Sequence, residues 1–325
     1  MSFREEKTKE WSNSFTELDS FRFASDTTRE NRITNTKEDS YWKTTVKTFF
    51  RNKFSSFWLI ILLLLIVFII IQPYLPRQKD PNLIYNSRRT GQQIRNQAPN
   101  KDFWFGTNSI GQDLWSRTWA GTRTSLFLGI TVSLLEALIG TIVGLIWGYM
   151  RKLDAFFTEV YNLLDNIPST IVLILISYIL RPGIPTLILA LCATGWIQMA
   201  RFIRNQMLLI RDKEFNMASK LLGTSTIRII RKNCMPYLIS VILMRISLSI
   251  PSVIGSEVFL TYLGLGLPLN IPSLGNLIQA ARAKLMMPGL RYQLIFPTLI
   301  VSIITVSFYL IGNAFADAAD PKNHR

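Results

Sequence analysis

Two ionisable residues, Glu136 and Arg245, stand inside otherwise apolar runs of the 325-residue chain. A charge at the centre of a membrane helix costs about 2.5–3.5 kcal/mol on insertion scales, so each must face protein or water. Three outcomes stay open: the two pair with each other, they line a translocation cavity and contact a ligand, or they pack against another membrane subunit. Other chemistry is scarce. The single histidine is His324 and the two cysteines are Cys192 and Cys234, which leaves no material for most histidine metal sites or nucleophile–base pairs. Neither cysteine suits an extracytoplasmic disulfide. The run Gly264-Leu265-Gly266 lacks the third glycine and the strand–helix setting of a dinucleotide site, and no phosphate-binding Walker A sequence occurs. The chain reads as non-enzymatic.

The second feature is a polar, basic stretch between apolar blocks, Asp212–Pro236, DKEFNMASKLLGTSTIRIIRKNCMP. Helical spacing puts Phe215, Ala218 and Leu222 on one face of a first short helix, and Gly223 suits its C-terminal stop. Thr224 or Ser225 is placed to cap a second helix carrying Ile227, Ile230 and Arg231, with Pro236 expected to end it. The small residues Ala218 and Ser219 beside the Gly223 bend would let another protein approach the backbone closely. A plain basic connector and a DNA-binding helix–turn–helix built on Lys220, Arg228, Arg231 and Lys232 are the competitors. Apolar spans directly on either side weigh against nucleic acid.

These residues must be positioned by membrane-crossing elements. Hydrophobic residues make up 49% of the chain and cluster in blocks long enough to cross a bilayer, so the formal charge of +15 points to cytoplasmic loops and anionic lipid. The spans are expected at Phe54–Leu75, Thr124–Met150, Phe156–Leu180, Pro185–Ile203, Tyr237–Glu257 and Tyr292–Ala314. They are helices, because each backbone polar group in lipid must be paired within its own segment. Basic short flanks (Lys43, Lys47, Arg51 and Lys53; Arg151 and Lys152; the loop from Arg201) place both termini in the cytoplasm. The division that follows is a tail over 1–53, largely disordered; a first span over 54–75; an extracytoplasmic loop with an amphipathic segment over 76–122; a core over 123–315; and a cytoplasmic tail over 316–325. The core includes the loop 211–236 and a segment rich in Gly and Pro over 260–291, too broken for a simple span and expected as an outer re-entrant hairpin.

The 211–236 loop resembles the coupling loop of binding-protein-dependent ABC importer permeases, which shows Glu-Ala-Ala, three residues, Gly, and Pro thirteen positions later. Gly223, Pro236 and Ala218 match; Met217, Ser219 and Asn233 depart, the last standing for Ile. Further segments resemble the C-type branch of oligopeptide and dipeptide importers. In FGTNSIGQDLWSRTWAGTRTSL, residues 105–126, Gly106, Thr107, Gly111, Asp113, Leu114, Ser116, Arg117, Gly121, Arg123, Ser125 and Leu126 match, while Asn108 replaces Asp and Gln112 replaces Arg. Asp154 and Pro168, Ala200, Arg201, Arg204 and Leu208, then Glu257, Leu260 and Leu263-Gly264-Leu265-Gly266, and lastly Gly312, Asp317 and Asp320-Pro321 continue the likeness in order.

The resemblance implies an all-α polytopic membrane protein with six transmembrane helices, the type I ABC importer permease fold with a cytoplasmic coupling helix, in a bacterial cell membrane. It implies a paralogous permease subunit, two cytoplasmic ATPase subunits that carry the ATP and Mg, an extracytoplasmic peptide-binding lipoprotein or protein, and oligopeptide cargo. No cofactor is expected on this chain. Phe215, Met217, Ala218, Ser219, Leu222, Gly223 and Pro236 would form the ATPase-coupling surface. Asp113, Arg117, Arg123, Glu257, Gly264 and Gly266 would serve an outer gate or binding-protein contact. Dipeptides or a nickel or other metal chelate are the alternative cargoes, and a channel or scaffold without ATPase partners is the alternative of another class.

Overall fold

The computed structural model describes Tyr41–Ala319 except Arg88; the expectations for 1–40, His324 and Asp320-Pro321 fall outside the described residues. Helix α1, Tyr41–Arg51, precedes α2, Lys53–Ile71, which is capped by the Asn52 side chain and prolonged by a 3-10 turn, Gln72–Tyr74. The remaining long helices are α3 (Leu114–Tyr149), α6 (Ile184–Arg211), α9 (Met235–Tyr262) and α11 (Tyr292–Ala319). Shorter ones are α4 (Arg151–Asp165), α5 (Ser169–Ile179), α7 (Glu214–Leu221), α8 (Thr226–Ile229) and α10 (Leu274–Arg282). Among the described residues five helical stretches are long and apolar enough to cross a membrane, or six if a bent pair counts as one. Large apolar side chains such as Leu64, Ile70, Leu138 and Ile142 remain exposed on them, as lipid-facing groups do.

The bent pair is α4–α5, where a single span, Phe156–Leu180, was expected. The two helices meet at 72°. Pro168 supplies no N–H and disfavours helical geometry at Ile167, so the chain breaks between them. The second span also starts earlier than Thr124: Asp113 accepts a hydrogen bond from the Ser116 N–H at 2.9 Å and caps α3 there, ten residues upstream. Part of the expected loop 76–122 is therefore helix. The sixth stretch runs on to Ala319 rather than stopping at Ala314.

The structure has two ends, one formed by residues 76–113 and the other by 211–236. α3 and α6 run parallel and pack most closely, through Gly140, Gly144 and Gly148, one every fourth residue on α3. Met199, Ala200, Ile203 and Met207 of α6 occupy the space their side chains would need. Such small residues let membrane helices approach where no hydrophobic drive separates protein from lipid. α9 crosses α3 antiparallel, with Gly129 against Ile250 and Ile254. One core joins α2, α3, α9, α10 and α11 through Leu62, Leu126, Ile254, Leu274 and Ile304; another joins α3, α5, α6 and α9 through Leu128, Leu173, Leu187 and Val253.

A Cβ at Gly144 would lie 2.5 Å from the Ala200 carbonyl oxygen and 2.8 Å from the Ile203 Cβ, whereas one at Gly255 meets nothing within 4 Å. Gly144→Val is expected to destabilise the helix pair by about 1–3 kcal/mol, and Gly255→Ala to leave it unchanged. Thermal unfolding of the detergent-solubilised protein measures both.

Candidate functional site

The loop 211–236 is built from both arms inward. Gly223 has φ +76°, the left-handed conformation expected of it, and closes α7. Phe215, Met217, Ala218, Leu221 and Leu222 are exposed, Leu221 and Leu222 at 88% and 85%. Ser225 occupies the cap position of α8, but its side chain makes no capping hydrogen bond. Pro236 does not end a helix. α8 passes into a π-turn, Ile230–Cys234, and Pro236 stands in the first turn of α9, so the helical run continues from Thr226 to Tyr262. The first turn is where a missing N–H costs least.

Sequence reasoning missed the residues that hold this loop. Asn216 is 2% exposed, and its amide donates to the Ile210 carbonyl at 2.9 Å and to Cys234 Sγ at 3.7 Å. The Asn233 amide donates to Ser219 Oγ at 3.2 Å, joining two of the residues that depart from the coupling-loop pattern. Beneath the loop, Arg204 grips Asp154 with two hydrogen bonds, 2.8 and 3.0 Å, over the face of Trp147. Arg151 and Arg211 both reach Asp212, and Arg211 also donates to the Gly148 carbonyl. Slight burial would push the Asp212 carboxyl up, but the hydrogen bonds from Arg211 and Arg151 hold it below its ordinary range.

At the opposite end the four charged outer candidates turn inward, while Gly264 is exposed. Glu257 is fully buried; it accepts from Ser273 Oγ at 2.7 Å and from Ser125 Oγ and Thr261 Oγ1 at 3.2 Å. Its carboxylate thereby fastens the N-terminus of α10 to α3 and α9. Arg117, 5% exposed, donates to the carbonyls of Pro81 and Leu269 and to Asn82 Oδ1. Arg123 donates to the Ile69 carbonyl and to Gln72 Oε1. Asp113 is the α3 cap. Gly264, φ +79°, permits the turn after α9, and Gly266 lies against Thr261. These side chains assemble the layer instead of presenting a free surface. In the same layer Asn108 donates to Gln112 Oε1 at 2.9 Å, so the two amides that replace opposite charges of the family pattern bond each other. The segment 260–291 carries α10, buried on α3, α9 and α11.

Between the ends lies a cavity of about 590 Å³ lined by α3, the α4–α5 break, α6 and α9. Both intramembrane charges line it, but no ion pair within 4.0 Å joins them. Glu136 Oε2 accepts from Ser249 Oγ at 2.8 Å, and the Arg245 guanidinium lies 5.6 Å from the Phe202 ring centre. Arg245, Ser249, Ser252 and Ser256 all line it, a polar stripe at helical spacing that was readable in the sequence and passed unnoticed.

Residues 140–325, more than half the chain, match the family described as the binding-protein-dependent transport system inner membrane component. The chain belongs to that family. Residues 40–99 match a second description, the N-terminal TM domain of oligopeptide transport permease C. Among relatives of this permease, the "Oligopeptide transport system permease protein AmiD" of Streptococcus pneumoniae is 37% identical over 88% of this chain and 91% of its own. From Bacillus subtilis, the "Dipeptide transport system permease protein DppC" is 36% identical over 85% and 84%, and the "Oligopeptide transport system permease protein OppC" 35% over 88% and 91%. Among solved structures, the inward-facing MetNI methionine ABC transporter is 20% identical over 62% of this chain and 96% of its own, with a TM-score of 0.49. The chain is thus a multi-pass membrane subunit of an ABC importer, and its long regular elements among the described residues are all helices.

Glu257→Ala would leave three buried hydroxyls without their acceptor, and is expected to cost about 3 kcal/mol or more. Glu257→Gln, which keeps acceptor capacity, is expected to cost less. Unfolding curves of the purified permease in mixed micelles rank the two.

Proposed function

We propose that this permease carries oligopeptides, and that it is one of two paralogous pore-forming subunits driven by two separate cytoplasmic ATPase subunits. The relatives named as oligopeptide and dipeptide permeases support the cargo class, and the match over 40–99 favours the oligopeptide branch. Both termini and the loop 211–236 lie in the cytoplasm on this reading, and a binding protein delivers peptide to the 76–113 end. ATP and Mg belong to the ATPase subunits.

The observation that carries the coupling role is the exposed apolar crest of the loop. Met217, Leu221, Leu222 and Ile227 are 56–88% exposed on a basic loop held from beneath by Asn216 and by the Arg204–Asp154 pair. A firmly held apolar crest outside the bilayer suits insertion into a protein cleft, with the small Ala218 and Gly223 admitting the partner's backbone. Closure of the ATPase subunits on nucleotide draws the two permeases' loops together. Because the loop is bonded to α3, α4 and α6, that displacement tilts the spans and alternates access to the cavity. The drive is differential contact: the loop must stay gripped in both nucleotide states for closure to do work on the spans. No covalent chemistry takes place in this chain.

Ala218→Arg and Gly223→Asp are expected to cut peptide uptake at least about tenfold, the effect of roughly 1.4 kcal/mol of lost contact. Both should leave membrane insertion intact. Uptake of labelled peptides of graded length into cells, with the ATPases recovered by co-purification, measures it. Normal uptake in these variants rejects the coupling role, and a wild-type chain that recovers no ATPase favours the channel or scaffold reading.

A further inference from the structure

Glu136 is an intramembrane ionisable group whose bonding is incomplete. It is nine-tenths buried; Oε2 is held by Ser249, while Oε1 accepts no hydrogen bond from any described residue. Oε1 faces the backbone of Gly195 on α6, where a Cβ would overlap it, so α6 is cut away at the point where the carboxylate lies. The other carboxylate of the cavity, Asp165, is already engaged by the Gln198 amide at 2.7 Å and by Arg201 at 3.8 Å. Arg245 lies one helical turn from Ser249, an axial rise of about 6 Å, and has no carboxylate of a described residue within 4.0 Å. One cavity thus holds a carboxylate with a free acceptor oxygen and a guanidinium that donates to no described residue, the latter about one turn along α9 from the serine that holds the former.

Burying unpaired charges is costly, and a ligand that completes both sets of hydrogen bonds recovers that cost. At the amino end of a peptide, the ammonium and the first carbonyl oxygens lie a few ångströms apart and present cation and acceptors in the same order. The cavity volume of about 590 Å³ falls in the range of small-ligand sites, roughly 300–1,000 Å³, and admits one end of a longer chain more readily than the whole. Resting on the peptide-cargo reading, we propose that this cavity binds the amino terminus of the peptide, its ammonium on Glu136 Oε1 and its first carbonyls on Arg245. Because only the terminus and the main chain are read, length and side-chain sequence stay open.

The test uses the nucleotide-free assembly, this chain with its partner permease and ATPases in nanodiscs. It is titrated with a fluorescent penta-alanine as the free peptide, as its N-acetyl derivative and as its C-terminal amide. The wild type is expected to bind the free peptide about tenfold more tightly than the acetylated one, the worth of one charge-assisted hydrogen bond, and to be indifferent to amidation. Glu136→Gln should bring the free-to-acetylated ratio close to one. Arg245→Gln should keep the ratio and weaken both peptides, which serves as an independent reading if Glu136→Gln fails to assemble. Equal wild-type affinity for the free and acetylated forms, a ratio unmoved by Glu136→Gln, an affinity unmoved by Arg245→Gln, or loss of binding on amidation each overturns the assignment. Normal uptake of labelled peptides by the intact system alongside such a result rejects the site alone; uptake of no peptide in any form rejects the cargo class.

Discussion

The close approach of α3 and α6 is the constraint from which the rest of the molecule follows. In lipid the apolar side chains of two helices gain little by leaving their surroundings, so contact must come from backbone proximity and interdigitation. Gly140, Gly144 and Gly148 provide the proximity, and Met199, Ile203 and Met207 fill it. The same registration carries Glu136 to the bare backbone of Gly195 on one side of the contact and the Gly148 carbonyl to Arg211 on the other. A cavity wall and the root of the loop are therefore set by one helix pair.

The two ends of the molecule are secured by different physics. At the 76–113 end the fastening is dry and internal: a wholly buried carboxylate with three hydroxyl donors, and a guanidinium shared among carbonyls. At the 211–236 end it is mostly ionic and wet. The Arg151–Asp212 side chains are 72% and 51% exposed, and pairs of that kind contribute little by themselves. The Arg204–Asp154 pair, 20% and 34% exposed and backed by Trp147, is better shielded. A loop fixed this way can be loaded from outside without opening the core, while the α10 layer stays attached to the spans it covers.

The helical spans were legible because continuous apolar runs and basic short flanks are strong signals, and the family likeness rested on glycines and prolines whose backbone roles recur, such as Gly223 and Gly264. What escaped were contacts between segments far apart in the chain. Asp113 could be seen as a motif residue but not as the cap that starts α3. Glu257 looked like a candidate contact and is a buried fastener, because burial depends on where α10 folds back. Pro168 was seen as a motif match without the 72° break it causes. The departures from the family pattern were read singly, yet Asn108 meets Gln112 and Ser219 meets Asn233, so each substitution has its partner in another. The stripe of Arg245, Ser249, Ser252 and Ser256 was plainly periodic, but serines on an apolar helix stand out only when the charge beside them is read with them.

The π-turn at Ile230–Cys234 fixes a rotational phase. An α-helix advances about 100° per residue, and a π-turn holds one residue more than the α-turn it replaces. Were the chain one residue shorter here, the turn would relax to ordinary helix and everything before it would swing by about that angle around the axis of α9. The crest of Met217, Leu222 and Ile227 would then face a direction turned by that angle. A single surplus residue thus acts as an angular shim, setting the direction in which the loop faces whatever grips it.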